Sequence, residues 1–176
     1  MYFIAVILPA ALDEMVLKEK RRMQELYGCR VGLKSPAHIT IVPPFWMEEE
    51  KEEQLKQDMA IISTTVPSFR IATNHYAAFK LRTIFVAVQD SEELKRLKKA
   101  SDSYFQTADY KIKIENRPFH PHITIATRDL HKKDFAEAWP HYENKKFIEE
   151  FEAVGLSLLK HNGRHWEVVF TSAFPT

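Results

Sequence analysis

His38-Ile39-Thr40-Ile41 reads HITI, and His122-Ile123-Thr124-Ile125 reads HITI again, 84 residues further along a chain of 176. In a β-strand the side chains at i and i+2 share a face. Each copy therefore sets a histidine and a threonine on one face and two isoleucines on the other. The isoleucines suit a core behind the strand, and the histidine and threonine are left looking away from it. One such strand is ordinarily a polar face turned to solvent. Two, at matching places in the halves of one chain, point to a doubled sequence.

Further echoes keep the same order. Phe3-Ile4-Ala5-Val6 returns as Phe85-Val86-Ala87-Val88 and Phe69 returns as Phe151, each 82 residues on. The elements also repeat. In the first half YFIAVIL (2–8) is β-rich, and LDEMVLKEKRRMQELYG (12–28) is helical with Gly28 at its C-terminal end. HITIV (38–42) is a strand stopped by Pro43-Pro44. EEEKEEQLKQDMAIIS (48–63) is a helix with its acids at the start, where the dipole favours them, and FRIATNHYAAF (69–79) is a strand. In the second half TIFVAV (83–88), SEELKRLKKASDSYFQ (91–106), HITIAT (122–127), a helix around residues 131–145 and FEAVGLSLLK (151–160) follow in the same order. HWEVVF (165–170) closes as a hairpin partner across His161-Asn162-Gly163-Arg164.

The order β-α-β-α-β, stated twice, predicts an α+β protein. It is expected to be a bilobal, internally duplicated β-α-β-α-β fold, with two antiparallel sheets lining a central groove and helices outside. Lys80-Leu81-Arg82, between the halves, is too short and too poor in glycine and proline to be a linker. Residues 1–80 and 81–176 are therefore expected to pack as one domain spanning 1–176.

Composition narrows the function. Apolar residues make up 45% of the chain, enough for a core, and the net charge of +1 supplies no field to hold long nucleic acid. No apolar run approaches the roughly 20 residues of a membrane span. MYFIAVILPAAL (1–12) lacks a basic leader and runs into Asp13-Glu14, so it reads as a buried strand and not a secretion signal. Cys29 is the single cysteine and can form no internal disulfide, which fits a cytoplasmic protein. A monomer is expected. The only glycines, Gly28, Gly32, Gly155 and Gly163, build neither a Walker-type loop nor a GxGxxG fingerprint. A phosphate would have to be held mainly by side chains.

If a pseudo-twofold relates the halves, both His/Thr faces meet across the groove, and two imidazoles and two hydroxyls surround one small space. That set suits phosphodiester cleavage without metal or cofactor. One neutral histidine takes a proton from the attacking oxygen and the other, protonated, gives one to the leaving oxygen. Imidazole fits because both its forms coexist near neutral pH. The threonine hydroxyls can donate to the non-bridging oxygens, where charge builds. The competing reading is a binding module that holds a small nucleotide or RNA end without turnover, although binding alone needs neither acid nor base.

At these residues the sequence resembles the two-histidine (2H) phosphoesterase superfamily, whose paired His-x-Thr/Ser-x motifs sit on a duplicated bilobal fold. The resemblance spans essentially the whole chain, and SPAHITIVPPF (35–45) is similar to a small bacterial subgroup. It implies His38 and His122 as the catalytic pair, Thr40 and Thr124 as phosphate ligands, and cyclic phosphodiesters or 2′-5′ links of nucleotides or RNA ends as substrates. RNA-ligase-like members carry a basic residue directly after the extension of the second motif. Here Thr127 precedes Arg128, a departure that bears on ligase-type recognition and leaves cyclic-ester hydrolysis untouched.

Other residues near the motifs carry weaker signals. His120-Pro121-His122 has the alternation of a metal site, but no carboxylate or cysteine cluster lies beside it, and His120 reads as a loop residue at the groove's rim. Lys34, Arg117 and Arg128 flank the motifs and could hold a substrate phosphate, though isolated basic residues are ordinarily solvated. Phe45 and Phe119 could stack a base, though core packing is the commoner place for phenylalanine. Cys29 has no partner motif. His75, His131, His141, His161 and His165 sit in no repeated context and take no role.

Overall fold

The structure, a computed structural model, describes residues 1–79 and 81–176; of the Lys80-Leu81-Arg82 segment, Lys80 lies outside the described residues. In chain order the elements are β1 (Tyr2–Ile7), α1 (Ala10–Tyr27), β2 (His38–Phe45), α2 (Glu52–Ser63), β3 (Phe69–Phe79), β4 (Thr83–Val88), α3 (Glu92–Thr107), β5 (His122–Ala126), α4 (Lys132–Ala138), β6 (Glu150–Ala153), β7 (Gly155–His161) and β8 (Trp166–Ala173). They build two four-stranded sheets, ordered β2-β1-β7-β8 and β5-β4-β3-β6, with antiparallel neighbours throughout. The protein is the α+β type its sequence predicts, and the opening apolar stretch is strand β1.

Local chemistry sets the element ends. Gly28 takes a left-handed φ of 70° and closes α1 by donating its N–H to Gln24 O at 2.9 Å. Ser91 caps α3, its hydroxyl accepting from the Leu94 N–H. Gly163, at φ 96°, turns the β7–β8 hairpin while the Asn162 Oδ1 accepts from the Arg164 and His165 N–H groups.

Three boundaries differ from the sequence expectation. β2 runs through Pro43-Pro44 to Phe45. It is the outer strand of its sheet, and an edge tolerates residues that cannot donate to a ladder. The helix expected around 131–145 is α4 alone, followed by a 3-10 turn at Trp139–His141, because Pro140 lacks the N–H that would carry the helix on. FEAVGLSLLK breaks at Val154 into β6 and β7, which belong to different sheets. Gly155 is required at the break, since a Cβ there would meet the Ser172 carbonyl oxygen at 2.7 Å.

The break belongs to an exchange of strands. The first four residues of β3 pair antiparallel with β6, so Phe69 and Ala153, and Ile71 and Phe151, are partners. The remainder of β3 pairs with β4, the opening strand of the second half. Correspondingly, β7 pairs with β1, the opening strand of the first half. The last strand of each repeat thus completes the sheet begun by the other.

Ile39, Ile41, Ile123 and Ile125 are all buried in the core. The packing behind them is also crossed, α3 lying against β2 and α1 against β5. The outer strands β2 and β5 approach one another along the line where the sheets meet. Among the described residues no helix is long and apolar enough to cross a membrane.

Candidate active site

The two motifs open the two approaching strands, so the i, i+2 rule turns their polar faces toward a common groove. His38, Thr40, His122 and Thr124 are each half-buried while the alternating isoleucines are fully buried. His38, Thr40 and Thr124 border one hollow of about 210 Å³. His122 borders a second, adjoining hollow, with Thr40 and Pro44 common to both. A charge on His122 lowers the proton affinity of His38. All four residues named from the repeat are thereby brought together.

The two histidines are held identically. His38 Nδ1 lies 2.7 Å from the Pro36 carbonyl oxygen and His122 Nδ1 lies 2.7 Å from that of His120. A carbonyl only accepts, so each Nδ1 carries the hydrogen, and neither Nε2 makes a hydrogen bond among the described residues. The neutral ring then offers a lone pair at Nε2, and the protonated ring offers an N–H there. Burial pulls His38 down to about 4, against the Pro36 bond, with the charges of Lys20 and His122 lowering it further. Burial also lowers His122, against its bond to the His120 carbonyl and in the same direction as the neighbouring His120 ring.

Beneath each imidazole lies a phenylalanine, and these two are one of the pairs that echo in the sequence. Phe3, on β1, is 4.8 Å from His38 between ring centroids, and Phe85, on β4, is 5.1 Å from His122. A second aromatic packs on each: Trp166 is 4.7 Å from Phe3, and Phe79 is 4.4 Å from Phe85. The echo was visible in the sequence; its purpose, a matched floor under matched histidines, needed the strand pairing.

Lys20 is a groove residue that sequence reading passed over. It lies on the buried stripe Leu12, Val16, Lys20, Met23 of α1, is only 4% exposed, and borders the hollow of His38 and Thr40. A lysine within an apolar helical stripe is the signal that could have marked it. Its Nζ donates to the Ser35 carbonyl at 3.0 Å, and burial brings its pKa down to about 8 against the attraction of Asp13. The turn at Val31–Lys34 walls this end of the groove. Asp129 holds the turn, one carboxylate oxygen accepting from the Arg30 and Val31 N–H groups. Gly32 allows its close approach, because a Cβ there would meet the Ile125 carbonyl oxygen at 2.5 Å.

The remaining candidates separate. Arg128 borders the hollow of His38, and Arg117, Phe119 and His120 border that of His122. Lys34 is exposed and borders neither. Phe45 is buried, stacked 6.2 Å from Tyr2, and has no face for a base. Cys29 is buried, which pushes its thiol up to about 11 and leaves no nucleophilic thiolate near neutral pH. Among the described residues, no three His, Cys, Asp or Glu side chains gather as metal ligands.

Two imidazoles whose Nε2 atoms make no hydrogen bond among the described residues, two hydroxyls and the cations Lys20, Arg128, Lys98 and Arg117 around two adjoining hollows can bind a small oxyanion and pass protons on either side of it. A sequence profile of the 2′-5′ RNA ligase superfamily matches residues 12–165. No curated protein matches the chain. Among solved structures, TT0787 of Thermus thermophilus superposes with a TM-score of 0.74 at 18% identity, over 98% of this chain and 97% of that one. LigT of E. coli, complexed with 3′-AMP, superposes with a TM-score of 0.69 at 19% identity, over 99% and 98%. A protein described as a phosphoesterase gives the same TM-score, identity and coverage. At these identities the likeness is one of fold.

Proposed function

The chain belongs to the 2′-5′ RNA ligase superfamily, and on that footing we propose that it is a metal-independent phosphoesterase acting on cyclic or 2′-5′ phosphodiesters of nucleotides or RNA ends. His38 and His122 are its acid and base, and Thr40 and Thr124 hold the phosphate. Water attacks phosphorus and gives a proton to the free Nε2 of the neutral histidine. The phosphorus–oxygen bond on the far side breaks, and its oxygen takes the proton from Nε2 of the protonated histidine. The threonine hydroxyls donate to the non-bridging oxygens as their charge grows.

The observation that supports this reading is the matched pair of Nδ1–carbonyl bonds, which set the hydrogen on Nδ1 and leave Nε2 of each ring as the nitrogen to exchange a proton. A pocket that only binds has no use for that duplication. The structures of LigT with 3′-AMP, NADP+ and ATP support a small nucleotide as the ligand class. Residues 1–176 act on this reading as one cytoplasmic, monomeric domain of two pseudo-symmetric lobes, about 1–80 and 81–176.

The test is a screen of 2′,3′-cyclic nucleotides, 2′-5′-linked dinucleotides and cyclic-phosphate RNA ends, with the double variant His38→Ala/His122→Ala as control. Turnover by the natural chain and none by the control supports the enzyme. Tight nucleotide binding with no turnover of any of these substrates would leave the binding module instead.

A further inference from the structure

The histidines match; their surroundings do not. Lys20 reaches the groove from α1 beside His38, and the charge that reaches His122 comes instead from His120. The Lys20 ammonium has three hydrogens to donate and among the described residues makes one hydrogen bond, to the Ser35 carbonyl. No carboxylate lies within ion-pair reach of it among the described residues, and the Oδ1 of Asp13, its nearest anionic influence, is taken by the Ala37 N–H at 2.6 Å. An ammonium 4% exposed without a counter-ion is costly to maintain. Its position is explained if an anion completes it, and it borders the hollow that Thr40 and Thr124 border.

The lysine is also tied to the first histidine through two consecutive residues. Lys20 Nζ donates to the carbonyl of Ser35, and His38 Nδ1 donates to that of Pro36. The stem of Lys20 runs beneath Gly32, whose missing Cβ leaves the turn room to close over it. Ammonium, imidazole and turn are one assembly; of the cations bordering the hollow of His122, Lys98 is instead paired with Asp102 and Arg117 comes from the segment before β5.

We propose that Lys20 is an anion ligand of the groove, and that its buried charge, held beside His38 without a counter-ion, makes His38 the base and His122 the acid. The second half of this rests on the phosphoesterase reading; the first does not. A water molecule passes its proton to His38 Nε2 as its oxygen bonds to phosphorus, and the leaving oxygen takes a proton from His122 Nε2. The cation discourages protonation of His38 before substrate arrives, and the bound phosphate then neutralises it. The charged groups facing His38 are Lys20 and Asp13 from α1 and His122 from β5, with Arg128 on the same hollow.

The experiment follows the histidine rings by NMR through a pH titration, and measures the affinity for sulfate, whose charge is constant over the range. It compares the natural chain with Lys20→Met and Lys20→Gln, each checked for folding by circular dichroism. In either variant the His38 titration is expected to move up toward the ordinary histidine range while that of His122 stays in place. Sulfate binding is expected to weaken about ten- to a hundredfold, the usual loss of a charged hydrogen-bond donor. In the natural chain sulfate affinity should also fall as pH rises past about 8, where the ammonium gives up its proton. That measurement stands even if neither variant folds.

Unchanged sulfate affinity, or an unmoved His38, overturns the proposal. None of these readings requires turnover, so the two failures are distinguishable. Sulfate held through Lys20 with no diester hydrolysed sinks the phosphoesterase reading alone. Hydrolysis by a protein whose sulfate affinity ignores Lys20 sinks the lysine alone.

Discussion

The ring of Phe3 lies 4.8 Å from that of His38, and 82 residues later Phe85 lies 5.1 Å from His122 in the same relation. Both phenylalanines are buried, so each imidazole rests on a fixed apolar floor. The orientation of the nitrogens proposed to transfer protons depends on core packing as much as on the groove itself. Phe3→Ala should cost about 3–5 kcal/mol, the usual range for emptying a phenylalanine site. Phe3→Leu should cost less, retain the fold and lower kcat more than it alters KM, because it loosens a ring that acts in the transition state. Denaturant midpoints and steady-state kinetics check both.

Replacing His38 or His122 by Ala should remove about 10²–10⁴-fold of the rate, the range of general acid–base catalysis. The double replacement should cost little more than either single one, because each histidine is useless without the other. Thr40→Ala and Thr124→Ala should cost less and mainly in kcat, each deleting a neutral donor to an oxygen that gains charge. Activity should also survive extensive chelation with EDTA. Losses that simply add, or activity restored only by a metal, would contradict the paired-histidine chemistry.

The pH profile of kcat/KM should be a bell displaced to the acid side. That parameter reports the free enzyme, where burial holds His38 near 4 and also lowers His122. The maximum should therefore fall below the ordinary histidine value of 6.5, with limbs that belong to the coupled pair. In kcat the falling limb should move to higher pH, because a bound phosphate anion stabilises the imidazolium. Coincident limbs in the two profiles would count against a phosphate lying between the rings.

Stability carries the same signature. Above pH 6.5 His38 is neutral folded and unfolded, and contributes no pH dependence. Between 6.5 and about 4 the unfolded chain takes up a proton that the folded one refuses, so stability must fall as pH falls. Below about 4 both states are protonated and the loss levels off. Urea midpoints from pH 7 to 4 should decline less steeply in His38→Asn than in the natural chain, and parallel declines would show that His38 titrates normally.

Gly32→Ala should be damaging although the site is on a turn. Its Cβ would be driven to 2.5 Å from the Ile125 carbonyl oxygen, so the turn must lift from β5. Because the same turn walls the hollow of His38 and covers the stem of Lys20, substrate affinity should suffer together with stability. A variant with unchanged KM and melting temperature would show that the turn has slack.

The doubled motif, the echoed phenylalanines and the order of elements were legible because they are local patterns with a fixed period. The four groove residues followed from the alternation of a strand. What local patterns omit is partnership. Nothing in FRIATNHYAAF says that its first residues pair with β6 and its last with β4, and nothing in FEAVGLSLLK says that it changes sheets at Val154. Pro43 and Pro44 read as a stop because their tolerance depends on β2 being an outer strand, which is a property of the assembled sheet. Lys20 was hidden by a similar ambiguity. On a helix a long cationic side chain ordinarily reaches solvent from an apolar stripe, and only the neighbouring turn shows that this one does not.

The exchanged last strands have a consequence for how such a chain can have arisen. A single half lacks the strand that completes its own sheet, so it could close its hydrogen-bond ladders only by taking that strand from a second copy of itself. Two identical copies would make a groove with identical histidines, and any lysine beside one would stand beside the other. Fusion into one polypeptide lifts that constraint. A buried ammonium without a counter-ion at one imidazole is a feature that a symmetric dimer could not have held singly, and it is where the two halves have parted in chemistry while keeping the same four letters.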